Sequence, residues 1–253
     1  MGIKELKEYF MELGLTGKVA VITGTGSQIG FGKAIALALA NEGCDVIGVD
    51  VDGEGAEQTA AEVRSLGRKS LGLKVDITNR AEIDAAVNKT IEEFQKIDIL
   101  VNNAGMDPGW IPFMEMNLDD LKKAMDVNLY GGMNMVQAIV PHMISRKYGK
   151  IVNFSGGQGG PNTTSYSTSK GAVDSWSEVL AKELVPLGVM VNTFLPPPAK
   201  TKLGADHLPP NFADRVAKMM PLGRMCTAEE VGSMIAYMVS DANSYMIGQY
   251  IKL

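Results

Sequence analysis

Cysteine and histidine are the scarcest reactive side chains in this 253-residue chain, with two of each. Cys44 and Cys226 cannot build a disulfide framework, and that scarcity points to a reducing, cytoplasmic setting. His142 and His207 lie far apart and have no cysteine at ligand spacing, so no metal site is expected. Basic charge is also short: 24 Lys and Arg against 29 Asp and Glu leave a net charge of −5. Such a balance carries no electrostatic footprint for nucleic acid or an anionic membrane, and neither partner is expected. Long apolar runs are missing as well. The richest Ala and Leu stretch, Ala34 to Ala40, is far too short to span a bilayer. The charged start, Met1 to Phe10, lacks the apolar segment of a signal peptide.

What the chain does have is glycine and methionine, 28 and 16 residues. Its 45% hydrophobic and 21% charged content is ordinary for a globular protein, and the length suits one substantial domain. Apolar runs at Lys18 to Thr23, Asp45 to Asp50, Ser70 to Val75, Asp98 to Val101, Lys150 to Ser155 and Val189 to Phe194 predict buried strands. Helical patterns alternate with them at Lys33 to Asn41, Glu54 to Leu66, Arg80 to Gln95, Leu118 to Ser145, Tyr166 to Val185 and Ala228 to Val239. Repeated β-then-α units imply an α/β, doubly wound parallel sheet, Rossmann-like, with helices on both faces. Residues 1–14 read as an amphipathic helical extension with Ile3, Leu6, Phe10 and Leu13 on one side, suited to packing or oligomer contacts. Residues 15–253 then form the single domain. Pro196 to Pro221 breaks the alternation with six prolines and is expected to lie as a lid over the ligand-binding end of the sheet.

The first strand is followed by Thr23-Gly24-Thr25-Gly26-Ser27-Gln28-Ile29-Gly30-Phe31-Gly32, after which a helix opens. Gly24 permits a sharp turn, Gly30 a close pyrophosphate approach, and Gly32 tight helix–strand packing. The amino end of the helix then offers free N–H groups to phosphate. Gly24, Ser27, Gly30 and Phe31 are the expected loop contacts. Asp50 ends the second strand, twenty residues past Gly30. A carboxylate there accepts ribose hydroxyls and repels a 2′-phosphate, which favours NAD over NADP. The plainer alternative makes Asp50 or Asp52 a cap for the next helix.

Tyr166 and Lys170 are four residues apart on a predicted helix and project from one face. A phenol with a pKa near 10 is a poor proton carrier at neutral pH, and an adjacent ammonium pulls that value down. Ser155, at the end of the preceding strand, is a candidate to hold a substrate oxygen, and Asn128 to anchor a water that relays protons to Lys170.

Together these residues carry a resemblance. The chain resembles the short-chain dehydrogenases/reductases of the compact single-domain kind, from about Leu15 to Leu253. The resemblance rests on Thr23-Gly24 with Gly30 and Gly32, Asp76, Asn102-Asn103-Ala104-Gly105, Asn128, Ser155 and Tyr166-Ser-Thr-Ser-Lys170. It extends to Pro221-Leu222-Gly223-Arg224 and Ser244 to Gln249. It implies that Asp76 and Ile77 contact adenine, that Asn103 lines the cofactor cleft, and that Lys170 also holds the nicotinamide ribose. Tyr166 is the implied acid/base, while Ala199 and Thr201 fall on cofactor-contacting positions. A homodimer or tetramer through the helices at Leu118 to Ser145 and Tyr166 to Val185 is implied too.

The chain departs from that pattern in four places. Ser155 and Tyr166 are closer in sequence than usual. The second strand-end serine, commonly the catalytic one, is Gly156 here. The usual Pro-Gly after the sixth strand becomes Pro196-Pro197-Pro198, which removes backbone donors. The chain stops at Leu253, where the family normally continues with Asp-Gly-Gly. Two readings follow: an NAD-dependent enzyme acting on a secondary alcohol or a hydroxyacyl thioester, or a non-catalytic subunit of a hetero-oligomer with a related chain. Met106, Met114, Met116, Met219, Met220 and Met225 border the expected cleft and suit a bulky apolar substrate. Core filling is their plainer role.

Overall fold

The computed structural model describes residues 12–156, 159–202 and 212–253. Seven strands make one sheet: β1 (Val19–Thr23), β2 (Asp45–Asp50), β3 (Ser70–Lys74), β4 (Ile99–Asn102), β5 (Gly149–Phe154), β6 (Val189–Leu195) and β7 (Tyr250–Lys252). Their order is β3-β2-β1-β4-β5-β6-β7, and every pairing is parallel. Parallel neighbours need long crossovers, which are supplied by helices. These are α1 (Phe31–Asn41), α2 (Gly53–Ser65), α3 (Arg80–Phe94), α4 (Leu118–Met125), α5 (Gly132–Ser145), α6 (Thr164–Leu184), α7 (Phe212–Met219) and α8 (Ala228–Met238).

Strand alternation sorts the core into two layers. Val19 and Val21 of β1 join Ile139 and Met143 of α5 and Leu184 of α6 on one face. Ala20 and Ile22 join Ile35 and Leu39 of α1 and Ile235 of α8 on the other. Both faces are covered, so the strands are apolar throughout rather than half polar. Local signals set several helix starts: Asp52, Asn79 and Asn117 accept backbone N–H groups at the starts of α2, α3 and α4. Thr227 and Glu230 form a reciprocal cap on α8.

The structure departs from the sequence expectations in two elements. The helix expected from Leu118 to Ser145 is interrupted by a π-helical turn over Asp126–Gly131. The turn carries Asn128, whose carboxamide bonds Met106 N and O on the loop after β4. Strand β7 was not expected at all, because three residues at the sheet edge are too few for a periodic signal. Of the extension at 1–14, residues 1–11 lie outside the described residues, while Leu13 packs against the α1/α8 layer. Residues 203–211 of the expected lid, His207 among them, also lie outside. Met135, Met143 and Met238 are core residues, whereas Met114 and Met219 are exposed. Among the described residues no helix is long and apolar enough to cross a membrane.

Candidate active site

The strand order reverses direction between β1 and β4, and the carboxyl ends of strands on either side of that switch carry the ligand crevice in such sheets. The glycine loop lies there. Gly24 has φ +79°, a conformation that side chains other than glycine rarely adopt. A Cβ on Gly32 would stand 2.1 Å from Gly24 O, so helix and loop touch backbone to backbone. Gly30 stands in the capping position of α1 with no side-chain cap, which leaves the helix amino end available to an anion. Ser27 Oγ is buried beside Gly30 with no hydrogen bond. Gln28 braces the loop by donating to Gly26 O and Gly55 O, both at 3.0 Å.

Asp50 and Asp52 divide the two roles considered for them. Asp52 caps α2 through Gly55 N, whereas Asp50 accepts from Gly26 N at 2.8 Å and Asp52 N at 2.9 Å. An ionised carboxylate offers about four lone-pair positions, so Asp50 retains capacity for ribose hydroxyls. The uncapped helix, the orphaned Ser27 hydroxyl and the Asp50 carboxylate fit a nicotinamide dinucleotide.

Other expected contacts are engaged within the fold. Asn103 Nδ2 donates to Thr23 O at 2.9 Å and to Gly24 O at 3.3 Å, so it braces β4 against β1. Asp76 accepts from Thr78 N and Thr78 Oγ1, and Ile77 packs beneath Gly131. The proline run leads into a strand-like bridge between Ala199 and Cys226. Cys226 N donates to Pro198 O, and Thr201 N to Ala199 O. The run is therefore held at both ends, by β6 and by this bridge.

Tyr166 and Lys170 lie on consecutive turns at the start of α6. Lys170 is 3% exposed; its Nζ donates to Phe154 O at 2.9 Å and lies 5.9 Å from the Tyr166 ring centre. A Cβ on Gly105 would stand 3.1 Å from Asn128 Oδ1 and 3.3 Å from Lys170 Nζ. The fold thus gathers Asn128, Tyr166 and Lys170. Asn128 also donates to Ser169 Oγ at 2.8 Å, and its side chain clamps loop and helix together.

Ser155 requires a correction. Its hydroxyl is buried and set against the Asp174 carboxyl, with no other hydrogen-bond partner. The residue against the phenol is Gly156, where a Cβ would stand 2.3 Å from Tyr166 Oη and 2.8 Å from Lys170 Cγ. Neighbouring residues at a strand end point to opposite sides, so the shift of one position exchanges the two environments. The expected direction of the phenol's titration is corrected too. Burial, with Asp107 adding to it, pushes Tyr166 up to about 12. Burial lowers Lys170 to about 8, with Asp174 opposing the change. Desolvation is the largest cause for both groups. Sequence reasoning missed Asp174, although its position four residues beyond Lys170 was a usable signal.

A family profile described as Enoyl-(Acyl carrier protein) reductase matches residues 24–253. The 3-oxoacyl-(acyl-carrier-protein) reductase FabG of Thermotoga maritima is 36% identical over 242 residues, 94% of this chain and 97% of that protein. Subunit BbsD of a (hydroxy(phenyl)methyl)succinyl-CoA dehydrogenase from Thauera aromatica is 33% identical, covering 94% of this chain and 96% of its own length. The crystal structure of a 3-ketoacyl-(acyl-carrier-protein) reductase from Brucella melitensis complexed with NADH superposes with a TM-score of 0.87 at 30% identity, over 94% of this chain and 97% of that one. Together with the parallel sheet, the glycine loop and the paired Tyr166 and Lys170, these likenesses establish that the chain belongs to the short-chain dehydrogenase/reductase family of oxidoreductases.

Proposed function

We propose that the protein is an NAD-dependent oxidoreductase that interconverts a secondary alcohol and its ketone. The observation that carries this reading is the pairing of Tyr166 with Lys170, packed on Gly156 at the carboxyl end of β5. The chemistry that a nicotinamide would supply when bound there is hydride transfer. Tyr166 gives or takes the proton at the substrate oxygen, and the Lys170 cation favours the phenolate that results. Asn128 holds the Met106 backbone and thereby the loop beside the site. Residue 156 carries no hydroxyl, so the substrate oxygen has the phenol as its one side-chain donor from this pair of positions. A missing donor of that kind costs on the order of a hundredfold in rate.

Asp50 supports NAD over NADP, since a 2′-phosphate would meet its carboxylate beside Gly26. Ser27, Gly30 and Phe31 would face the pyrophosphate, and Ala199 and Thr201 the nicotinamide side. The substrate proposed is a hydroxyacyl thioester, in keeping with the acyl carriers named for the relatives. Lys200 and Lys202, at the base of a lid over residues 196–221, would meet its phosphate groups. The remainder of the proposal is a single cytoplasmic domain at 15–253, assembled as a homodimer or tetramer through α4, α5 and α6.

Calorimetric titration with NAD and NADH tests the reading, and heats indistinguishable from buffer would overturn it. One observation favours a second reading, in which the chain is a cofactor-free subunit of a hetero-oligomeric dehydrogenase. A Cβ on Gly156 would clash with Tyr166 Oη, so the phenol takes up the space that the side chain of a catalytic serine at this position would need. Absence of NADH binding by the isolated chain, with binding restored in a complex with a related subunit, is the result this second reading requires.

A further inference from the structure

The proposed role of Lys170 leaves a buried charge to explain, and the next turn of α6 holds the group that answers it. Tyr166, Lys170 and Asp174 follow one another at four-residue spacing, which keeps all three on one side of the helix. Asp174 Oδ1 and Ser155 Oγ are both buried and set against each other, and neither has another hydrogen-bond partner. A hydroxyl donates to a carboxylate that faces it, so Ser155 holds Asp174 in place from the end of β5 and leaves its charge to act on a neighbouring cation. The remaining side of Asp174 borders a groove of about 600 Å³ with Thr193, Gln249 and Tyr250. Glu178 and Lys182 line the same groove but pair with each other at 2.6 Å.

We propose that Asp174, seated against Ser155 and one helical turn from Lys170, is a positioning residue that supplies the counter-charge of the buried Lys170 beside Tyr166. The charged and titratable groups around this cluster are few. Asp174 acts on Lys170 from α6, Asp107 acts on Tyr166 from the loop after β4, and Ser155 acts on Asp174 from the end of β5. Burial works against the ammonium and Asp174 works for it; burial likewise pushes the Asp174 carboxyl up, and Ser155 and Lys170 oppose that rise. Ser155 thereby acquires a role behind the lysine in place of the one expected in front of the tyrosine.

The inference rests on the proposed function only for its kinetic consequence, so its test has two arms. In the first, urea denaturation is followed from pH 7 to 10.5 for the parent protein, Asp174→Asn, Lys170→Met and the double variant. Asp174→Asn should move the pH-dependent rise in stability to lower pH by about one unit. In the Lys170→Met background the same change should move nothing. In the second arm, the alkaline loss of turnover should shift with Asp174→Asn in the same direction, with KM little changed, and Asp174→Glu should restore it. Superimposable denaturation profiles for the parent and Asp174→Asn would overturn the proposal. A shifted stability profile in a protein that binds no cofactor would support the counter-charge and overturn the enzymatic reading. If Asp174→Asn fails to fold, Asp174→Ser and Ser155→Ala serve as replacements, with Ser155→Ala giving the smaller shift.

Discussion

At the scale of single residues, Tyr166 and Lys170 make different demands on the fold. Tyr166→Phe keeps the ring on Gly156 and removes the proposed proton carrier. Turnover should fall by about a hundredfold to ten-thousandfold while cofactor affinity stays within a factor of two or so; unchanged turnover would remove Tyr166 from the mechanism. Lys170 costs stability because its charge is buried. Below about pH 8 it is charged in both the folded and the unfolded chain, and the folded state bears the full penalty. Between about 8 and the ordinary lysine value of 10.5 the unfolded chain holds a proton that the folded chain has lost, so stability rises with pH across that window. Lys170→Met should flatten this rise and stabilise the protein near neutrality by up to about 3 kcal/mol. Urea titrations at pH 7 and pH 10 provide the measurement. A variant less stable than the parent at pH 7 would show that the Phe154 O hydrogen bond outweighs the burial penalty.

At the scale of elements, the βα turn between β1 and α1 is the least tolerant segment. Adding a methyl at Gly32 drives a Cβ against the backbone oxygen of Gly24, and neither partner is a flexible side-chain end. Gly32→Ala should open the loop, cost about 1–3 kcal/mol and abolish cofactor binding, as read by denaturation and calorimetry on the same preparation. Full-strength binding would mean that the phosphates do not rest on this loop. The glycines of this turn were legible in the sequence because their spacing lies between a clear strand and a clear helix. The π turn over Asp126–Gly131 was not legible. It depends on Asn128 reaching Met106, a contact 22 residues away that no helical periodicity encodes. The same limit concealed β7, whose pairing with Thr193, Phe194 and Leu195 of β6 is purely tertiary.

At the scale of the molecule, the sheet is tied at its amino-terminal end by Asp98. This residue is 1% exposed and accepts from Val19 N, with Arg146 and Lys96 as ionic partners. Those three contacts hold its carboxyl below the usual range despite burial. Its stabilisation is therefore present above the ordinary carboxylate pKa and is lost as pH falls through the depressed value. Asp98→Ala leaves Arg146 and a backbone N–H without their partner at the junction of β1, β4 and α5. A loss of about 1–3 kcal/mol is expected, because Arg146 and Lys96 are each partly exposed and water can reach them, with a weaker acid dependence in the variant. A loss below 1 kcal/mol would mean that water replaces the carboxylate at little cost. The site at the opposite end of the sheet should keep its cofactor affinity in this variant.

Read from the sequence alone, the chain already specified a doubly wound parallel sheet, a glycine-rich turn between β1 and α1 and a Tyr–Lys pair. Each of these is written in local spacing: continuous apolar runs, glycines at a βα turn, and two residues one helical turn apart. What only the tertiary structure decided is which groups meet across elements. Whether Ser155 or Gly156 faces the phenol depends on how the end of β5 turns against α6, since one residue of rotation exchanges the two sides. Asp50 and Asp52 looked equivalent in sequence, and the glycine loop folding onto β2 separated them. The charge state of Lys170 was likewise out of reach, because burial and a carboxylate one turn away are properties of packing rather than of spacing.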